Sequence, residues 1–523
     1  MDVGIYGWGV VAPRSPDVES FERNLERAES WLSPFNGFGP DRFLVGQPEF
    51  DFERYRPWID ARFPANRFSQ LVQKMDPTTL FAVGAFIQSL EQNPGIEALL
   101  TELGTEAHVY VGTGLGALPT IYSASLELDR AQRKWNRFWA DPERNAAVAA
   151  YRVDPEASRA LDPQIPLDPS GVEDPDDAAD ARAEWAAFWA PQSDQLQRFL
   201  DELAEIEGVS VAGDVETSKI KVIREKERRK ARLMDAWGVP TPPWTAVSTN
   251  VLWNIHNTPA SQISMLGRIT GLAFAPVAAC STFGVALKLG MDAIRRGEAK
   301  AVVIGATDPA PHPLSVGTFN AARVLSADGA ASKPLTGLRG THVAGGSAIW
   351  ILGARSFMES RGMRPLGMEP VAVGVSSDAD HIITPSTEGP TEAIHRALAE
   401  AGIEARSLAS WDLHATATPG DFMEVKTLRA IVPEHVLVTA RKGTFGHGMS
   451  VGGGWELMAQ YLGMARGALH ATPLTPAELN SEIAEVHGAW VWDESCPVPR
   501  GPVGKLSMGV GGVNACVVSR PLD

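Results

Sequence analysis

Two distant stretches of this chain carry the same pattern. Gly284 to Gly297 reads as an amphipathic helix with apolar Val285, Leu287, Leu289, Met291 and Ile294, closed by Arg295-Arg296-Gly297. Gly453 to Gly467 repeats that pattern and its arginine–glycine ending. An element used twice predicts two similar halves sharing one site. The length of 523 residues allows about two to four domains. A hydrophobic content of 44% is enough to fill a large core.

The texture changes along the chain. Residues 1–124 alternate strand-like and helical segments, and residues 241–365 return to that grammar. The expected organisation is a first half built from 1–124 and 241–365, an insertion at 125–240, and a second half at 366–523. The glycine run Gly112-Thr113-Gly114-Leu115-Gly116 follows a strand. Its spacing is not that of a dinucleotide loop and no Walker lysine follows, so it reads as a tight turn.

The insertion is rich in charge, alanine and tryptophan. Trp135-Asn136-Arg137-Phe138-Trp139-Ala140 and Trp185-Ala186-Ala187-Phe188-Trp189-Ala190 each put aromatics at i, i+3 and i+4, which are packing stripes on helices. Asp168 to Asp180 is acidic and proline-containing and reads as an exposed loop. Lys219 to Arg232 is strongly basic. It reads as a solvated helix face, or as a landing patch for an acidic partner centred on Arg228, Arg229 and Lys230.

Several function classes recede on bulk properties. A formal charge of −16 argues against general nucleic-acid binding. Three scattered cysteines (Cys280, Cys496 and Cys516) make neither a disulfide framework nor a metal site. No apolar run reaches the roughly 18 residues of a membrane span, and no signal peptide is visible, so a reducing cytoplasm is the expected compartment.

Cys280 stands where the apolar, strand-like run Val277-Ala278-Ala279 meets Ser281-Thr282-Phe283-Gly284 and the first helix of the repeated pair. Unpaired N–H groups and the positive end of the helix dipole should favour its thiolate. Four more segments carry chemistry-bearing side chains into turns. These are Leu413-His414-Ala415-Thr416-Ala417-Thr418-Pro419-Gly420-Asp421, Lys442-Gly443-Thr444-Phe445-Gly446-His447, Ser507-Met508-Gly509-Val510-Gly511-Gly512-Val513-Asn514 and Ser376-Ser377-Asp378-Ala379-Asp380-His381. His256, His312 and His381 read as ordinary core or loop imidazoles.

In this order the segments resemble the β-ketoacyl-acyl carrier protein synthases, the elongating ketosynthases of the thiolase superfamily. The family marks are A-C-S/A-T, H-G-T-x-T, K-x-x-x-G-H and G-F-G-G-x-N. The resemblance implies a five-layer αβαβα thiolase-like α/β fold of two related halves, with 125–240 as a mainly helical insertion. It implies a decarboxylating Claisen condensation in fatty acid or polyketide biosynthesis. Cys280 takes an acyl group, and malonyl thioester then supplies an enolate stabilised by His414 and His447. Lys442 tunes the pair. The backbone N–H groups of Cys280 and Val510 hold the tetrahedral oxyanion. Asp421, Glu424, Gly511, Gly512 and Asn514 support them. Phe283 and Val510 fall at pocket or gate positions. No bound cofactor is implied beyond the phosphopantetheine of acyl carrier protein, or CoA, that brings the substrate. The implied partners are an acyl carrier protein and a second copy in a homodimer, with a heterodimer as alternative.

The chain departs from the pattern at instructive places. Val510 stands for the gating phenylalanine, and Ala415 for the motif glycine. Thr336, His342 and Gly346 replace residues associated with a structural cation, so no metal is expected. A degradative thiolase would need a second cysteine before the terminal turn, where Ser507-Met508 stand. The CoA-primed Cys–His–Asn relatives would have asparagine where His447 stands. A non-catalytic, chain-length-determining partner would lack the cysteine. An interaction protein built on the tryptophan-rich insertion is the remaining alternative.

Overall fold

The computed structural model describes residues 2–39, 42–210, 215–382, 384 and 386–522. Two compact units emerge, Thr120–Val251 and the remainder. The inserted unit is somewhat wider on both sides than the 125–240 read from composition.

The larger unit contains two mixed sheets. The first has the order Val3–Val11, Gly346–Ala354, Ala301–Asp308, Ala107–Gly112 and Ala273–Phe274. Its first two pairings are antiparallel and the next two parallel. The second has the order Met368–Ser377, Val513–Pro521, Val503–Gly509, Ser410–Asp412, Leu437–Thr439 and Ala489–Trp490. Its pairings are again two antiparallel followed by parallel ones. Numbered within each half, the shared strand order is 1-5-4-2-3, and the second half adds one edge strand. The duplication hinted at by the two helices therefore extends to topology.

Those helices, Thr282–Arg295 and Gly452–Arg466, lie between the sheets. Their apolar residues join both inner sheet faces in one core, with Phe283, Met291, Trp350, Trp455, Leu457 and Val517 buried. Helices Pro77–Ser89 and Thr258–Gly267 cover the outer face of the first sheet, and Glu388–Ala401 and Gly420–Ile431 that of the second. The layering is αβαβα, the five-layer arrangement that the resemblance implies. A helix between two sheets must be apolar on most of its circumference. Gly452–Arg466 is buried from Gly452 to Gly463.

The inserted unit is helical. Trp135 and Trp139 pack with Phe199 and Trp237, and Trp185 and Trp189 pack with Tyr151, so both aromatic stripes are packing faces. The acidic stretch expected as a loop folds further than its composition suggested. Pro169–Gly171 forms a 3-10 turn, and Pro175–Trp189 is a helix whose N-terminus is capped by Asp174. An acidic N-cap followed by proline and further aspartates stabilises a helix start. Among the described residues no helix is long and apolar enough to cross a membrane.

Candidate active site

The nucleophile turn owes its shape to local chemistry. The strand before it ends at Phe274, earlier than the apolar run suggested, and Pro276 offers no N–H for a ladder. Ala279 is left-handed at φ 46°, a strained setting for a residue with a side chain. Thr282 Oγ1 accepts from Ala278 N–H and donates to Ala279 C=O, which locks the turn. Ser281 Oγ donates to Ser507 and Val513 carbonyls at 3.0 and 2.7 Å, tying this turn to the last two strands of the second half. Cys280 thus sits in a short 3-10 turn ahead of the Thr282–Arg295 helix.

Cys280, His414, His447, Val510, Gly512, Asn514, Asp421 and Glu424 all line one cavity of about 280 Å³. The two imidazoles meet edge to face with ring centroids 5.4 Å apart. Met449 N–H donates to His447 Nδ1 at 3.0 Å. Lys442 Nζ lies 3.5 Å from His414 Nδ1 and donates to the His414 carbonyl. An ammonium and an amide N–H can only donate, so both Nδ1 atoms accept and both protons sit on Nε2. Burial, then the charge of Lys442, holds both histidines well below the usual imidazole range, and both are neutral.

Burial works against the thiolate expected from the sequence. Burial pushes the Cys280 thiol up to about 11, more than Lys442 and the backbone N–H groups of Val510 and Cys280 pull it down. A helix N-terminus cannot compensate for removing a thiolate from water on this scale. The same two N–H groups reach the sulfur, and Val510 itself is 49% exposed at the cavity mouth.

Phe283 is corrected as well. It is absent from the cavity wall and fully buried behind it, edge-on to Trp350 with centroids 4.9 Å apart. A Cβ on Gly454 of the facing central helix would come within 2.7 Å of its ring, so the phenylalanine fills space that a glycine leaves. Gly511 and Gly512 turn the chain at φ 89° and 74°, values that favour glycine, and Gly511 N–H bonds to the Ile382 carbonyl. Asn514 Nδ2 donates to Asp378 Oδ1 at 2.6 Å.

Glu424 accepts from His414 and Ala415 N–H at 2.6 and 2.7 Å, and Asp421 accepts from Leu335, Thr416 and Ala417 N–H. Burial raises Asp421 to about 6 and Glu424 to about 7. They hold the His414 loop by its backbone. The basic run lies on the helix Val215–Trp237 of the inserted unit. There Arg228 and Arg229 are exposed, and Lys230 is half-buried, paired with Glu207 at 2.5 Å and with Glu227.

Three features escaped the sequence reading. Asp308, at the end of a first-sheet strand, accepts from Thr113 Oγ1, Gly114 N–H, Leu115 N–H and Ser450 N–H, joining the two halves beside His447. Behind Lys442 runs a buried charge chain through Glu456, Lys505, Asp412 and Arg441. His381, taken as an ordinary loop imidazole, stands on the cavity wall. The usable signal was a charge inside an apolar element: Trp411-Asp412-Leu413, Trp455-Glu456-Leu457 and Gly504-Lys505-Leu506. His342, at one of the departed cation positions, accepts Ser332 N–H and approaches the Leu44 carbonyl, and among the described residues no cluster is arranged to hold a metal ion.

Comparison with known proteins agrees with this layout. The profile of the beta-ketoacyl synthase N-terminal domain matches residues 225–355, and that of the C-terminal domain matches residues 369–474. The chain belongs to the β-ketoacyl synthase family. This β-ketoacyl synthase family member is 31% identical over 192 residues to 3-oxoacyl-[acyl-carrier-protein] synthase 2 of Staphylococcus aureus, covering 35% of this chain and 47% of that one. It spans about half the length of the curated relatives it matches. Its fold is similar to that of the ishigamide ketosynthase/chain length factor, with TM-score 0.68 at 17% identity over 100% of this chain and 99% of that one. It is also similar to a type II polyketide ketosynthase solved with its acyl-carrier protein, with TM-score 0.65 at 16% identity over 100% and 99% of the two chains.

Proposed function

We propose that this protein is a β-ketoacyl synthase that condenses a cysteine-bound acyl group with a malonyl thioester. The observation that carries this reading is the convergence of a thiol, two neutral Nε2–H imidazoles and two backbone N–H groups on one cavity.

The first step moves the acyl group. Cys280 Sγ attacks the carbonyl of an acyl thioester, and the tetrahedral oxyanion is held by the N–H groups of Cys280 and Val510. The C–S bond to the carrier breaks, and the proton lost by Cys280 leaves on the carrier thiol.

The second step makes the carbon–carbon bond. The malonyl thioester loses CO₂, and the electron pair of the broken bond becomes an enolate. His414 and His447 donate Nε2–H to the enolate oxygen. The enolate carbon attacks the acyl-cysteine carbonyl, the C–S bond to Cys280 breaks, and the thiolate regains one proton from solvent. Neutral imidazoles suit this work, because each already has its donor in place and no proton need move while charge develops.

The partners proposed are an acyl carrier protein and a second copy of this chain. The first sheet ends in the open edge strand Ala273–Phe274, flanked by Leu272 and Val277 at 56% and 60% exposure, a surface suited to cover by an identical edge.

The deciding measurement is the intact mass of the protein after exposure to acyl-carrier-protein and acyl-CoA thioesters, followed by malonyl thioester. An adduct that Cys280→Ala abolishes, and that malonyl thioester discharges as a longer ketoacyl product, is expected. No adduct from any donor would replace this reading with that of a non-catalytic partner subunit.

A further inference from the structure

The buried charge chain behind the histidines contains a lysine with no part in the reaction just described. Lys505 projects from strand Val503–Gly509 and is buried, with its Nζ 2.7 Å from Glu456 Oε2 and 3.3 Å from Asp412 Oδ1. It also donates to the carbonyls of Leu413 and Leu506 at 3.1 and 2.6 Å. Leu413 is the residue immediately before His414. Glu456 is shared, since its other oxygen, Oε1, lies 2.6 Å from Lys442 Nζ. Lys442 in turn reaches the His414 carbonyl and Nδ1. Two ammonium groups therefore hold one carboxylate from opposite sides, and both also grip the backbone that carries His414.

We propose that Lys505 is a positioning residue that acts on the catalytic centre through Glu456. By occupying Oε2, it leaves Oε1 alone to face Lys442, and so fixes the Lys442 ammonium against the His414 loop. This inference rests on the proposed role of His414, Lys442 and Cys280.

Three considerations support it. A buried lysine is costly without compensation, and one used only for stability is readily replaced by an apolar side chain of similar size. Burial opposes the Lys505 charge, yet Glu456 and Asp412 outweigh it and push its pKa up, so the group stays an ammonium. Lys442, Lys505 and Arg441 share Glu456 and Asp412 along this chain, all at most 3% exposed at the side chain, and Glu424 also faces Lys505. Lys442 is the end of the chain that faces the imidazoles and Cys280, and its charge acts on all three.

Without Lys505, both Glu456 oxygens become available to Lys442. The ammonium then swings toward the carboxylate and away from His414 and Cys280. The thiol loses its one strong cationic neighbour and its reactivity falls.

The experiment is alkylation of Cys280 by iodoacetamide near pH 8, followed by peptide mass, in the full chain. It compares wild type, Lys505→Met, Glu456→Gln and the double variant, with melting temperature as a control for folding. Lys505→Met is expected to slow Cys280 alkylation by roughly tenfold, as a neighbouring cation governs the thiolate fraction, whereas Glu456→Gln, which removes the carboxylate that would draw Lys442 away, should not slow it. The double variant should alkylate like Glu456→Gln alone, since Lys505 acts through that carboxylate and the two effects are then not additive. Lys505→Met alkylating at the wild-type rate, or effects that multiply in the double variant, would overturn the proposal. If Lys505→Met fails to fold, Glu456→Gln decides: an undiminished rate supports the coupling, and a slowed rate, which would make the carboxylate the anchor of Lys442, refutes it. Alkylation needs no substrate, so a wild-type protein that condenses nothing would sink the proposed function while this coupling was still measured.

Discussion

The backbone N–H of Met449 donates to Nδ1 of His447 across 3.0 Å. Protonating that nitrogen would set one N–H against another, so the contact excludes the imidazolium and aims Nε2–H into the cavity. His447→Ala should therefore lower malonyl-thioester decarboxylation by roughly a hundredfold to a thousandfold, the usual loss for one oxyanion donor. Acylation of Cys280 should survive, because its oxyanion donors are backbone groups. His447→Gln, which keeps an amide N–H at a similar reach, should recover part of the loss. Equal decarboxylation by His447→Ala and wild type, followed as CO₂ release, would remove His447 from the enolate site.

The carboxylates holding the His414 loop give a pH signature. Glu424 titrates near 7 in the folded protein because burial disfavours its anion, against 4.5 as the ordinary value. A pKa raised on folding means stability fully present below about 4.5 and lost as pH rises through about 7. Glu424→Gln removes the titration but also one acceptor for the N–H groups of His414 and Ala415. The variant should thus be less stable than wild type at pH 4.5, with the gap narrowing as pH rises toward 8. Urea midpoints across that range test it, and a constant gap would assign the titration elsewhere.

Phe283 illustrates where sequence and structure part. Its place just after the nucleophile motif suggested contact with the acyl chain, but it faces Trp350 and the glycines of the opposing central helix. Phe283→Ala should cost about 3–5 kcal/mol of stability, the range for emptying a large buried aromatic site. Chain-length preference should not move. Chemical denaturation and the lengths of loaded acyl groups measure the two effects separately. A changed preference with unchanged stability would restore Phe283 to the pocket.

That Cys280, His414 and His447 line one cavity was legible because each sits in a short local motif, and the repeated helix pattern pointed to two halves. The ionisation of Cys280 was not legible. Local geometry favours the thiolate, but burial in the folded protein opposes it. Lys505, Glu456 and Asp412 were missed for a related reason. A charged residue reads as solvated until the partners that neutralise it, brought from separate strands and a helix, are seen together. The Asp168–Asp180 stretch was misread because its composition resembles a loop, whereas its order, with Asp174 ahead of Pro175, caps a helix.

The basic helix of the inserted unit yields the last prediction. Arg228 is exposed and lies 2.9 Å from Glu225 on its own helix, and Arg229 is exposed beside it. Lys226 and Lys230 instead turn toward Glu207 of the neighbouring helix. An acidic carrier protein would therefore meet the two arginines and not the lysines. Reversing Arg228 and Arg229 to glutamate should weaken carrier-protein binding mainly through a slower, salt-sensitive association, as charges at the edge of an interface do. Lys230→Glu should act first on the helix pair, by setting a carboxylate against Glu207, and should show in the melting temperature. Titrations at low and high salt distinguish the two. Unchanged affinity in the folded double-arginine variant would mean that the carrier protein docks elsewhere.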